Sequence, residues 1–213
     1  MKISLILGHP DKGSFNHAIA KTAARMLQRS GHEVFYHDLY DEKFDPILPS
    51  EEVLKGAPLD PVIEMHCREI SSADGIIIVH PNWWGQPPAI LKGWIDRVLR
   101  AGVAYEFLEC DGGEGIPVGL LKARKAIVFN TSNTPEEREM EAFGDPLESL
   151  WRYCILDLCG IRDISRRTFS VVVTSTPEDR ASWLRDVEAM VDKCFPNDEK
   201  AALELDNQGR SGP

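Results

Sequence analysis

Little in this 213-residue sequence would place it in a membrane, on a nucleic acid or around a metal. The longest apolar runs, "ISLIL" and "GIIIV", fall far short of the roughly 20 residues that a helical span needs. No charged, then apolar, then small-residue leader precedes the first strand-like run, so a cytoplasmic location without membrane insertion is expected. Positive charge is scarce: 24 Lys and Arg against 34 Asp and Glu leave a formal net charge of −10. Duplex binding normally requires a basic face, so no nucleic-acid partner is expected. Cysteines number only five, an odd count, and none form a CxxC pair. That points away from a disulfide framework or a zinc site, and no metal is expected. The nucleotide-loop signatures are absent too. In "GHPDKGS" the glycines Gly8 and Gly13 are not spaced as GxGxxG, and Lys12 precedes Gly13 where a Walker loop places Lys after it. No internal repeat is visible.

What is present is an alternation of strand-like and helix-like segments. "ISLIL" (3–7), "EVFYHDL" (33–39), "GIIIVH" (75–80), "KAIVFN" (125–130) and "TFSVVV" (168–173) read as strands. Short continuous apolar runs of this kind suit parallel strands covered on both faces. Between and after them, residues 16–28, 61–71, 89–100, 146–160 and 176–195 read as helices. Gly31 stands where a helix C-terminal cap is expected. Thr176, Pro177 and Asp179 mark a capped helix start. Residues 41–60, the Gly-rich stretch 101–121 and residues 131–145 read as loops. Hydrophobic residues make up 43% of the chain, enough for a substantial core. Residues 1–196 are expected to form a single α/β domain, a doubly wound three-layer sandwich with a five-stranded parallel sheet, followed by a polar tail at 197–213.

In such sheets, ligands sit beyond the carboxyl ends of the strands, near the switch in strand order. Three unusual loops leave those ends: "GHPDKGSFN", "PNWWGQPP" and "TSNTPEE". The first combines Ser14 with a helix N-terminus, where backbone N–H groups suit a phosphate, although a plain strand-to-helix turn has the same look. The second carries Trp83 and Trp84 side by side. Burial would account for one ring, but adjacent residues of an extended loop point opposite ways. At least one should line a cleft or an interface, where a flat aromatic suits a planar heteroaromatic ligand. Pro81, Pro87 and Pro88 stiffen that loop. The third offers hydroxyls and an amide at Thr131, Ser132, Asn133 and Thr134. These serve equally to cap the next helix or to bond the rim of a ligand.

The segments "GHPDKGSFNHAIAKTAARML", "GHEVFYHDLYDEKFDPIL" and "NWWGQPPAILKGWIDRVLRAGVAYEF", in this order and spacing, resemble the flavin-dependent NAD(P)H:quinone oxidoreductases over most of residues 1–175. The resemblance implies a flavodoxin-like fold and a homodimer with active sites at the subunit interface. It also implies two-electron transfer from NAD(P)H through a flavin to quinones. His9, Ser14, Phe15 and Asn16 would hold the flavin's phosphate and ribityl end. Pro81, Asn82, Trp83, Trp84 and Gly85 would run along its ring system. Thr131 to Thr134 occupy the position of the family's Thr-Thr-Gly-Gly loop. FAD is the favoured flavin, with FMN as the alternative. Animal members place a Tyr and a His after the third loop to stabilise charge on the reduced ring. Here that region reads "PEEREMEAFGD", with Phe143 near the His position. Related flavodoxin-like proteins serve as ancillary subunits of membrane transporters, and others reduce azo or nitro compounds. Those are the alternative functions that the resemblance leaves open.

Overall fold

The computed structural model describes residues 1–108, 115 and 117–197. Its elements are β1 (Lys2–Leu7), α1 (Phe15–Arg29), β2 (Glu33–Asp38), α2 (Pro61–Ser72), β3 (Gly75–Pro81), α3 (Ala89–Val98), β4 (Tyr105–Glu106), β5 (Val118–Gly119), β6 (Lys125–Ser132), α4 (Glu136–Phe143), α5 (Pro146–Ser149), β7 (Asp163–Ser170) and α6 (Pro177–Cys194). The main sheet has the order β2-β1-β3-β6-β7, every pair parallel. This is the five-stranded parallel sheet expected, with its switch in strand order at β1 and β3.

The side chains of the three central strands alternate between two cores, as the period of a strand dictates. Ile3, Leu5, Leu7, Ile77, Val79, Ile127 and Phe129 pack under α1 and α6, against Ile19, Ala23, Leu27, Val187 and Val191. Ile6, Ile76, Ile78, Ala126 and Val128 face the opposite layer, against Ile63, Ile70, Leu91, Trp94 and Trp151. Trp94 and Trp151 are fully buried, so each indole N–H needs an acceptor. Trp94 Nε1 donates to His66 Nδ1 at 3.1 Å, and Trp151 Nε1 to His80 Nε2 at 2.8 Å.

Local signals act where they were expected. Gly31, at φ +78°, ends α1: its N–H donates to Gln28 O, and His32 N–H to Leu27 O, both at 3.0 Å. Thr176 and Asp179 cap α6 reciprocally, at 3.1 and 2.9 Å. Gly93 brings α3 against the loop after β2, where a Cβ would stand 2.2 Å from the Pro46 carbonyl oxygen. The buried pair Arg97–Glu52 fastens the same contact through two bonds of 3.1 and 2.6 Å.

Other boundaries differ from expectation. The fifth strand is Asp163–Ser170 rather than 168–173, and Val172–Thr174 form a short 3₁₀ turn. As an edge strand it is only partly covered, so its first half, "DISRR", reads as polar. Residues 136–143, expected as loop, form α4, a short charged helix whose apolar Met140 and Phe143 stay exposed, so no buried face marks it. The helix expected over 146–160 is α5 followed by a π-helical stretch at Leu150–Leu156. Strands β4 and β5 pair antiparallel within the Gly-rich insertion, of which residues 109–114 and 116 lie outside the described residues. The expected polar tail lies outside them from residue 198 onward.

Candidate functional site: a cleft at the carboxyl edge of the sheet

Register places the three loops side by side. Leu7 at the end of β1 pairs with Asp38 and Val79, and Pro81 at the end of β3 pairs with Thr131 on β6. The ladder then continues into the loops: Gly8 N–H donates to Val79 O at 3.0 Å, and Asn82 N–H to Thr131 O at 2.7 Å. The loops therefore leave the sheet as one edge. They enclose a cleft of about 400 Å³ lined by His9, Ser14, Phe15, Asn16, Pro81, Asn82, Trp83, Thr131, Ser132, Asn133 and Thr134, with Asp11, Val172 and Val173. Trp84 and Gly85 instead line an adjoining cavity of about 380 Å³ with Asn82, Thr134, Glu139, Phe143 and Pro146. Asn82 and Thr134 are common to both spaces. Each volume lies in the range of small-molecule sites.

The first loop is shaped by its own polar side chains. Asp11 Oδ1 accepts from Gly13 N–H at 2.8 Å, and Ser14 N–H donates to Asp11 O at 3.0 Å. Ser14 is the N-cap of α1, its Oγ accepting from His17 N–H at 3.3 Å. The amides of Phe15 and Asn16, in the first turn, have no intrahelical acceptor. They join the positive end of the helix dipole at the cleft. Asn16 is 3% exposed. Its Nδ2 donates to Thr131 Oγ1 at 2.9 Å, tying α1 to β6, while its Oδ1 is buried with no hydrogen-bond partner. An orphaned buried acceptor on a residue that lines a cleft fits a ligand that brings a donor.

In the second loop Trp83 and Gln86 exchange backbone bonds of 3.1 and 3.0 Å, enclosing a two-residue turn. Its central residues, Trp84 and Gly85, lie at φ +58° and +70°, the conformation of a type I′ turn. A bulky tryptophan in the left-handed region is strained. It buries nothing within the chain, being 101% exposed, whereas Trp83 is 41% exposed and leans toward His9 with ring centroids 6.0 Å apart. A tight turn, not the extended loop expected, thus sets the two residues apart: Trp83 lines the cleft and Trp84 the adjoining cavity. Asn82 braces the turn: its Oδ1 accepts from Gly85 N–H at 3.0 Å and its Nδ2 donates to Glu139 Oε1 at 2.9 Å.

Behind this loop lies a buried polar chain not expected from the sequence. His80 Nε2 accepts from Trp151 Nε1 and, at 2.9 Å, from Asn130 Nδ2; its Nδ1–H donates to Pro81 O at 2.8 Å. Complete burial lowers the His80 pKa to about 4, despite the bond to Pro81. His80 is therefore neutral at pH 7, with its proton fixed toward the loop backbone. Beyond Asn130 stands Arg166, bonded to Asn130 Oδ1 at 3.1 Å and paired with Glu148 and Asp145. The signal for this chain was the pair of polar residues ending otherwise apolar strands, His80 and Asn130. Val172 and Val173 were missed because their segment read as strand. Val173 N–H donates to Asn133 Oδ1 at 3.0 Å, which joins the fourth loop to the third. Phe143 is 58% exposed in the adjoining cavity and carries no titratable group.

Among the described residues, His37, Glu42 and His66 could bring ligand atoms within 4.8 Å of one another. Their lone pairs are committed elsewhere. Trp94 donates to His66 Nδ1, which leaves the proton of a neutral ring on Nε2. His37 lies between Glu42 at 2.9 Å and Glu69 at 2.7 Å, so both of its nitrogens donate. Burial alone would lower the His37 pKa, but the two carboxylates raise it on balance. The trio is an ion-pair cluster rather than a metal cradle.

A doubly wound sheet with a polar, aromatic-edged cleft at its carboxyl rim is the architecture of the flavodoxin-like class. Residues 1–191 match the family described as having the flavodoxin-like fold, and the chain belongs to that family. Among its relatives is an NAD(P)H dehydrogenase [quinone] 1 of Cavia porcellus, 38% identical over 216 residues that span 89% of this chain and 77% of that one. Another is an uncharacterized NAD(P)H oxidoreductase of Haemophilus influenzae, 36% identical over 174 residues, or 78% of this chain and 81% of the other. Among solved structures, the NAD(P)H:quinone oxidoreductase from Methanothermobacter marburgensis superposes with a TM-score of 0.77 at 26% identity, covering 90% of this chain and 97% of that one.

Proposed function

We propose that this chain is an NAD(P)H-dependent flavin oxidoreductase that reduces quinones, or similarly flat acceptors, by two electrons. One observation carries the reading: the loop convergence brings the first turn of α1, Asn16 with its orphaned Oδ1 and the half-exposed Trp83 to one cleft. The relatives named NAD(P)H dehydrogenase [quinone] and NAD(P)H:quinone oxidoreductase support it. When bound, the flavin supplies the two-electron carrier chemistry. His9, Ser14, Phe15 and Asn16 would hold its phosphate and ribityl end, and Asn16 Oδ1 would accept from a ribityl hydroxyl. Pro81, Asn82, Trp83, Trp84 and Gly85 would border the ring, with Thr131, Ser132, Asn133 and Thr134 along its rim. FAD is favoured and FMN is the alternative.

The remaining work falls to the protein. Burial lowers the His9 pKa, so at neutral pH His9 positions rather than charges the site. With Phe143 near the position where the animal enzymes carry a histidine, that side chain moves no proton, and loop amides provide the stabilisation of negative charge. Donor and acceptor share one open face, so ping-pong kinetics are expected. Trp84, Met140 and Phe143 leave apolar surface exposed around the adjoining cavity, which a second copy in a homodimer would cover. Flavin-loaded protein should oxidise NADH or NADPH with menadione, giving parallel double-reciprocal lines. Azo and nitro acceptors in the same assay should be slower. Tight flavin binding without turnover would contradict the enzymatic reading and favour a carrier or ancillary subunit.

A further inference from the structure

We propose that His17, held by Asp38, couples binding of the flavin phosphate to uptake of one proton, by deciding whether Ser14 can donate a hydrogen bond into the cleft. The inference rests on the flavin reading above and deepens it. Ser14 Oγ lies 3.0 Å from His17 Nδ1, and His17 Nε2 lies 2.9 Å from Asp38 Oδ2. His17 is buried, and Asp38 closes the edge strand β2 beside the end of β1, so the trio ties the first turn of α1 to the carboxyl end of β2.

The proton positions follow from the donor inventory. A carboxylate only accepts, so His17 Nε2 carries a hydrogen toward Asp38. In the neutral ring Nδ1 is then a lone pair, and Ser14 must give it its hydroxyl hydrogen. Ser14, whose Oγ also accepts from His17 N–H, then presents only its remaining lone pair to the cleft, and this repels a phosphate oxygen. In the protonated ring, Nδ1–H donates to Ser14 Oγ. That oxygen now accepts from both His17 Nδ1–H and His17 N–H, and its own hydrogen is released toward the cleft beside the Phe15 and Asn16 amides. One proton from solvent adds to Nδ1 and no bond to carbon changes. The gain is a positive charge and a third donor at the anion's position.

The surroundings make this proton matter. His17 shares a pocket with Lys12, Lys21, Tyr36, Asp38, Asp41 and Glu42, and the His9 ring stands edge-on at 6.3 Å. Asp11 caps the first loop nearby. Lys12 is paired with Asp41. Burial, then Asp38 and Asp41, push the Tyr36 phenol up to about 12, so it adds no charge at neutral pH. In this pocket three carboxylates, Asp38, Asp41 and Glu42, thus stand against two lysines, and His9 is held neutral by burial.

The test is calorimetric titration of flavin-free protein with FAD and with riboflavin, in buffers of different ionisation enthalpy, between pH 6 and 8.5. The FAD pyrophosphate does not itself titrate there. If FMN is the flavin, its own phosphate proton, with a second pKa of about 6, is subtracted using the variant. Within that range FAD should take up close to one proton on binding, its affinity falling up to tenfold per pH unit, and riboflavin should take up none. His17→Gln should abolish the uptake and weaken FAD at least tenfold at pH 6 while leaving riboflavin unchanged. Asp38→Asn should move the FAD profile to lower pH. Riboflavin binding by the variant shows that the fold survives; should it fail, the wild-type proton count decides alone. FAD binding without proton uptake, or His17→Gln with the wild-type profile, overturns this inference and leaves the flavin reading standing. Wild-type protein that binds neither FAD, FMN nor riboflavin overturns both.

Discussion

Replacing Asn16 by alanine should separate stability from binding. In the flavin-free protein its buried Oδ1 has no partner. Leaving such an acceptor unmade costs about 1–3 kcal/mol. Alanine removes that cost and gains roughly 0.5 kcal/mol of helix propensity at the second position of α1. Against this stands the lost bond from Asn16 Nδ2 to Thr131 Oγ1 at 2.9 Å, worth about 1 kcal/mol. The site borders an open cleft, so water fills the space and no sealed cavity forms. The sum is about 0.5–2.5 kcal/mol stabilising, a melting temperature raised by about 1–10 °C at this chain length. Flavin binding moves the other way. Loss of one hydrogen bond to the ribityl chain should weaken the dissociation constant about tenfold. Urea denaturation of flavin-free protein and titration of flavin fluorescence read the two effects separately. A variant that loses more than about 2 kcal/mol yet binds flavin with wild-type affinity would show that Asn16 is a structural tie and that its free oxygen has no ligand.

Further outcomes follow from the same geometry. Trp84→Ala should fold normally, since the ring buries nothing within the chain, and should retain less flavin through dialysis; full retention would place the ring outside the site. Glu52→Ala leaves the buried Arg97 only its contacts with Asp45 and should cost about 3–5 kcal/mol in urea, while a loss below 1 kcal/mol would mean that Asp45 suffices for Arg97. The His37 cluster sets a pH window. Burial opposes the charge on Glu42, but His37 and His66 hold its pKa down at about 2. Its contribution is therefore present above the ordinary value of 4.5 and lost as pH falls toward 2. The raised His37 contributes fully below 6.5 and less as pH rises through its folded value. Stability lost by His37→Gln should thus be larger at pH 6 than at pH 8.5, and an equal loss at both would show that the ring is not charged in the fold.

The sheet and the position of its cleft were legible because their signals are local and redundant. Continuous apolar runs at β1, β3 and β6 require cover on both faces, and the three loops after them must meet at one edge. The paired tryptophans drew attention through the alternation of an extended loop, whereas a tight turn with Trp84 at φ +58° is what separates them. Helix α4 was not, because none of its residues is buried and pattern reading depends on a buried stripe. The His80–Asn130–Arg166 chain was not, because its partners are 36 to 50 residues apart and meet only through strand register. His17 and Asp38 were missed for the same reason. Ser14 and His17 share one helical turn, but the group that orients the ring arrives from β2.

The most direct measurement is the stoichiometry of flavin bound to the purified chain after incubation with excess FAD or FMN and gel filtration, read by absorbance and by chromatography of the released chromophore. One flavin per chain, reduced substantially by Asn16→Ala and Trp84→Ala, is the expected result. A colourless protein after both incubations, with the carboxyl edge of the sheet as accessible as it is here, would contradict the account.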